Sequence, residues 1–162
     1  MSQKHITTYL SDHLAGAVSA VELMQHVESV YANTDIARLI AGVRTDVEAD
    51  LQTLQSLAAK LNVTESSPRK AAAWLGARMV ELKLRLEDSS NGALYLLEAL
   101  ETLAMGIDGK LGLWHGLAAA SVETPSLRGT DFEHLAQRAQ EQRQRIEPAR
   151  LDAARKVFDP AL

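Results

Sequence analysis

The chain has 162 residues, no cysteine and a net charge of −4. That length suits one domain over 1–162 with core enough to stand without cross-links. It also leaves no disulfide, no thiolate metal ligand, no cysteine nucleophile and no basic block of the kind that grips nucleic acid. The start, Met1 to Tyr9, carries no apolar signal core, and no apolar run reaches membrane-spanning length, so the expectation is a cytoplasmic protein off the membrane. Alanine, leucine, glutamate, glutamine and arginine dominate, a composition that favours helix.

The first predicted helix runs from Gln3 to Ala32, with Ile6, Leu10, His13, Ala17, Ala20, Met24, Val27 and Tyr31 on one 3–4-spaced stripe. Asn33, Thr34 and Asp35 break it with good capping residues. The second runs from Ile36 to Leu61 on the stripe Ile36, Ile40, Val43, Val47, Leu51, Leu54, Ala58 and Leu61. So short a break requires an antiparallel hairpin. A polar loop, 62–67, leads to Pro68 at the first position of a shorter third helix ending near Glu87. The turn 88–92 opens a fourth helix, Ala93 to Ala120. After a loop from Ser121 to Gly129, Thr130 to Glu133 reads as a capping box for a fifth helix. Its stripe is Phe132, Leu135, Ala139, Gln142, Ile146, Ala149 and Ala153, and Pro148 is expected to kink it. Four helices of roughly 40 Å, at about 1.5 Å per residue, predict an all-α bundle. The third helix would be its crossover, or the middle member of an up-and-down five-helix bundle.

The fourth helix is the odd one. Gly106, Gly109, Gly112 and Gly116 sit within it, each costing about 1 kcal/mol against alanine. The favoured reading is a seam where these glycines admit a neighbouring helix while Glu101, Asp108 and His115, seven residues apart, bond across it. The other is a groove that takes a small molecule beside Gly109, Gly112 and Trp114. Lys110, within a Gly-x-x-Gly-Lys string that lacks the strand-to-helix context of a phosphate loop, is read as solvent-facing.

Polar residues on apolar stripes are the other candidates. His13 lies within roughly 20° and Asp50 within roughly 40° of their stripe centres, at about 100° per residue, so a His13–Asp50 contact is expected between the paired helices. The reading is a buried hydrogen-bonded pair, with a metal ligand or acid–base pair as the sharper alternative. Glu22 and His26 point the other way and are read as solvated. Asp131 and His134 read as the cap of the fifth helix.

Asp12 to Ala17 in the first helix, Glu101, Gly106 to Lys110 and Trp114 in the fourth, and Arg138, Ala139, Gln142, Glu147 and Arg150 in the fifth resemble a family of bacterial helical proteins that looks related to the ferritin-like superfamily. The resemblance implies a ferritin-like four-helix bundle plus crossover helix. A ferritin-like di-metal site uses one Glu on each of two helices and Glu-x-x-His on two others. No Glu-x-x-His occurs in this chain, helix one has Ala17 and Ala20 inward, and helix five has Gln142. The expectation is therefore a cofactor-free scaffold or self-association module that forms homo-oligomers. The alternative is an atypical metal-binding or oxidase protein holding iron or manganese with His13, Asp50 and Glu101, and with Asp46 or His115 in reach.

Overall fold

The computed structural model describes residues 3–63, 77 and 92–159. Among the described residues there is no strand, and the chain forms four long helices: α1, Gln3–Val30; α2, Asp35–Lys60; α3, Gly92–Ala120; and α4, Phe132–Phe158. A single 3-10 turn, Pro125–Leu127, lies in the α3–α4 connection. The predicted third helix, Pro68 to Glu87, and its flanking turns lie outside the described residues.

Local chemistry sets the ends. Asn33, with φ 67°, takes the left-handed conformation that closes α1. Thr34 then caps α2, its hydroxyl accepting from the Ala37 N–H at 3.3 Å. The cap of α4 is Asp131, which accepts from the His134 N–H at 2.9 Å, rather than a box begun at Thr130. Helix α4 runs on through Pro148.

Packing pairs α1 with α2 and α3 with α4 as two hairpins, joined by α1–α3 and α2–α4 contacts. Three cross-links give the directions. Tyr31, ending α1, donates to the Gly92 carbonyl at 2.7 Å, so the end of α1 meets the start of α3. Glu28 of α1 pairs with Arg44 of α2 at 2.6 Å, and Asp46 of α2 pairs with Arg145 of α4 at 2.6 Å. Each touching pair is therefore antiparallel, and the diagonal helices α2 and α3 run parallel. Val63 and Gly92 consequently stand at opposite ends of the bundle. Both expected topologies share these directions; the helix that would separate them is outside the described residues.

The core follows the predicted stripes closely. Leu10, Met24 and Val27 are buried from α1, and Ile40, Val43, Val47 and Leu54 from α2. Phe132, Leu135, Ala139, Ile146 and Ala153 are buried from α4. Helix α3 is buried on a broader arc, including Tyr95, Leu100, Leu103, Ile107 and a fully covered Trp114, so it is the helix with the most enclosed apolar surface. Two polar side chains sit at full depth with this core, Asp50 and Gln142.

Candidate functional site

Asp50 projects from the inward stripe of α2 and is only 2% exposed. A carboxylate at that depth is costly unless its lone pairs are filled by donors. The donors come from the two opposite helices. Lys110 of α3 reaches its Oδ2 at 2.6 Å. Arg138 of α4 donates to Oδ1 through Nε at 2.8 Å and also through Nη2. Gln142, one turn further along α4, donates its Nε2 to Oδ2 at 3.0 Å, while its Oε1 accepts from the Lys110 ammonium. Asp50, Lys110 and Gln142 thus close a ring, with Arg138 bound to the far oxygen. Both ends of the buried Gln142 amide are used, so its orientation is determined by its partners. Burial pushes the Lys110 ammonium below the usual lysine range, against the upward pull of Asp50.

This arrangement corrects the expectation that Lys110 faces solvent: its side chain is 13% exposed. Lys110 lies on the line Leu103, Ile107, Lys110, Trp114, whose 3–4 spacing is the inward signal of the helix. Arg138 was equally readable, one turn before the inward Gln142. An inward carboxylate on α2 needs a cation, and these were the two cations on inward lines.

The expected His13–Asp50 contact does not form. Asp50 is engaged by Lys110, Arg138 and Gln142, whereas His13 packs edge-on against Tyr9 with ring centroids 4.8 Å apart. Burial lowers the His13 pKa, with Asp12 pulling weakly the other way, so the imidazole is held toward its neutral form. Glu101 turns toward α4 and meets Arg150 at 3.3 Å. His13, Asp50 and Glu101 thus sit in three separate environments, and among the described residues no group of three or more His, Cys, Asp or Glu could hold a metal ion. Asp46 is taken by Arg145, and His115 is exposed at the other end of α3. His26 also departs from its reading: it packs edge-on to Tyr95 at 6.1 Å instead of lying on a solvated face.

The polar half of the seam expected on α3 is present. Glu101 meets Arg150, and Asp108 approaches Arg143 at 3.6 Å, both on α4. The glycine half is not. A Cβ built at Gly106, Gly109 or Gly112 meets no atom of the described residues within 4 Å, so no described helix presses on this face. Gly116 alone has a neighbour, the Tyr9 hydroxyl at 3.5 Å.

Gly106 and Gly109 instead border a cavity of about 290 Å³ between α1, α2 and α3. Its walls are mainly apolar: Ala17, Ala20, Leu23 and Met24 from α1, Val47, Leu51 and Leu54 from α2, Leu103, Ile107, Leu113 and Trp114 from α3. Its polar lining includes Asp12 and His13 on α1 and the Asp50–Lys110 pair of the ring. The volume is at the small end of the range of about 300–1,000 Å³ for small-molecule sites. Trp114 is fully buried, yet its indole N–H has no hydrogen-bond partner among the described residues.

Geometry therefore defines an all-α bundle in which a buried ionic ring forms part of the lining of an apolar cavity. Set against family models, curated proteins and solved structures, the chain matches none.

Two outcomes follow from the polar groups. Asp50→Ala strands Lys110 and Arg138 beside an emptied carboxylate position and should lower unfolding free energy by about 3–5 kcal/mol in urea titrations; a loss below about 1 kcal/mol would show that the ring contributes little. Second, Arg150 and then Arg143 hold the Glu147 carboxyl down at about 2, against an ordinary value of 4.5. A depressed carboxyl adds stability that is complete above its unfolded pKa and fades as pH falls through its folded one. Glu147→Gln should accordingly flatten the fall in melting temperature between pH 4.5 and 2 relative to the parent chain, read by circular dichroism.

Proposed function

We propose that this is a ferritin-like bundle working as a binding module, which holds a small, mainly apolar molecule in the space between α1, α2 and α3. Two antiparallel hairpins with parallel α2 and α3 support the ferritin-like reading of the fold. Asp50, the inward carboxylate closest to a ferritin-like ligand position, is filled by cationic and amide donors, which supports a role other than di-iron chemistry. The observation that carries the proposal is the cavity itself. Natural cores are packed with few voids larger than a water molecule, and a 290 Å³ space lined by aliphatic side chains and two glycines is a departure from that rule. The glycines serve it by keeping the α3 wall thin.

The test is occupancy of the cavity. In a Trp74→Phe background, where Trp114 is the sole tryptophan, 1-octanol should change the Trp114 fluorescence saturably. Gly109→Leu should abolish that response while the melting temperature holds or rises, because leucine is the better helix former by up to about 1 kcal/mol. An octanol response that is absent in the parent chain, or unchanged in Gly109→Leu, rejects the reading.

A second reading, self-association across α3, rests on Met105, which is 50% exposed beside the bare backbone of Gly106, Gly109 and Gly112. Light scattering should then report a dimer that Gly112→Leu dissolves; a monomer at high protein concentration removes this reading and leaves the cavity untouched.

A further inference from the structure

The cavity's donors identify the kind of molecule it takes. This step rests on the cavity being a binding site and concerns the chemistry of what enters it. Trp114 lines the cavity and is fully buried, and its indole N–H, which can only donate, has no partner among the described residues. An unsatisfied buried donor costs about 1–3 kcal/mol, so the chain keeps it at a disadvantage unless something accepts from it. One turn earlier on the same line of α3, Lys110 also borders the cavity. Its ammonium carries three N–H donors, and two go to Asp50 and Gln142, which leaves one uncommitted among the described residues.

Charge points the same way. Lys110 and Arg138 together face the single carboxylate of Asp50, so the ring carries one surplus positive charge. The neighbouring Asp46–Arg145 pair is balanced. On the α1 wall His13 is held toward neutrality by burial, and Asp12 is the one charge there that opposes an anion. Two free donors and a surplus cation in a dry wall favour an acceptor with negative charge, since hydrogen bonds to ionised groups are roughly twice as strong as neutral ones. The aliphatic remainder of the wall favours an unbranched or aromatic hydrocarbon body.

We propose that the cavity binds a small monocarboxylic acid, its carboxylate accepting from the Lys110 ammonium and the Trp114 indole N–H and its apolar body lying between α1, α2 and α3. The ligand completes what the ring leaves open: a charge balance for Lys110 and Arg138 and an acceptor for Trp114.

The experiment compares three ligands with one body and different heads, octanoate, 1-octanol and octylamine, by isothermal titration calorimetry at neutral pH. Octanoate should bind about tenfold or more tightly than octanol, as a charge-assisted hydrogen bond allows. Trp114→Phe keeps most of the aromatic bulk and removes the N–H, and should narrow that advantage severalfold while octanol affinity stays within about twofold. In parallel, the indole N–H resonance of Trp114, assigned with Trp74→Phe, should move downfield on titration with octanoate and not with octylamine. Octanoate and octanol binding equally would overturn the head-group assignment and leave the cavity as a site. Tighter octylamine would overturn it in favour of Asp12 or Asp50 as the anchor. No binding by any of the three would overturn both this assignment and the binding-module reading.

Discussion

A carboxylate placed in the middle of an aliphatic bundle has to be answered by the rest of the fold, and Asp50 is answered by two helices at once. Lys110 from α3 and Arg138 with Gln142 from α4 converge on its two oxygens. Because each residue of a helix turns by about 100°, a slip of either helix by one position would swing its donor out of the ring. The same slip would leave a buried charge uncompensated, which is far more costly than a mismatched aliphatic contact. The ring therefore couples the register of α2, α3 and α4 in a way that leucine and alanine packing does not. The surface ion pairs, such as Glu101–Arg150 and Asp108–Arg143, run along the same α3–α4 seam but are partly exposed and correspondingly weak.

The cavity and the ring are two consequences of one arrangement. Helix α3 uses one side to deliver Lys110 to Asp50 and, on adjoining positions, gives up side chains altogether at Gly106 and Gly109. Glycine in a helix interior is unfavourable, and here no described backbone comes close enough to repay it through packing. What those glycines do is widen the space that Leu23, Leu54 and Leu113 enclose. The proposed binding role takes that as its starting point: stability has been given up along a line that borders a charged, donor-rich wall. Enzymes and binding proteins commonly carry such locally unfavourable choices where a ligand completes the structure.

Much of the fold was legible from periodicity. The stripes of the first, second and fifth predicted helices are the buried faces of α1, α2 and α4, and the boundaries fall within about two residues of those expected, the usual uncertainty of a helix end. Thr34 and Asp131 were readable as caps because their side chains act on backbone groups three residues away, a local effect. Asp50 and Gln142 were readable as inward because their own helices are strongly amphipathic. Lys110 was not, although its spacing to Ile107 and Trp114 carried the signal, because a lysine beside two glycines resembles an exposed turn of helix when no neighbour is in view.

Sequence by itself determined the helical class, the extent of the four described helices, and which faces of α1, α2 and α4 point inward. These depend on interactions within a few residues and on a periodicity that any one helix displays. Tertiary structure decided which polar groups meet. Asp50 and Lys110 are 60 residues apart and Asp50 and Gln142 are 92 apart, so their union depends on how whole helices stack. It also decided that His13 turns to Tyr9 and Glu101 to Arg150, and that the glycines of α3 border empty space rather than a backbone. A single helix specifies the direction of a side chain around its own axis; the partner it finds there is set by the rotation and height of another helix, which no local pattern encodes.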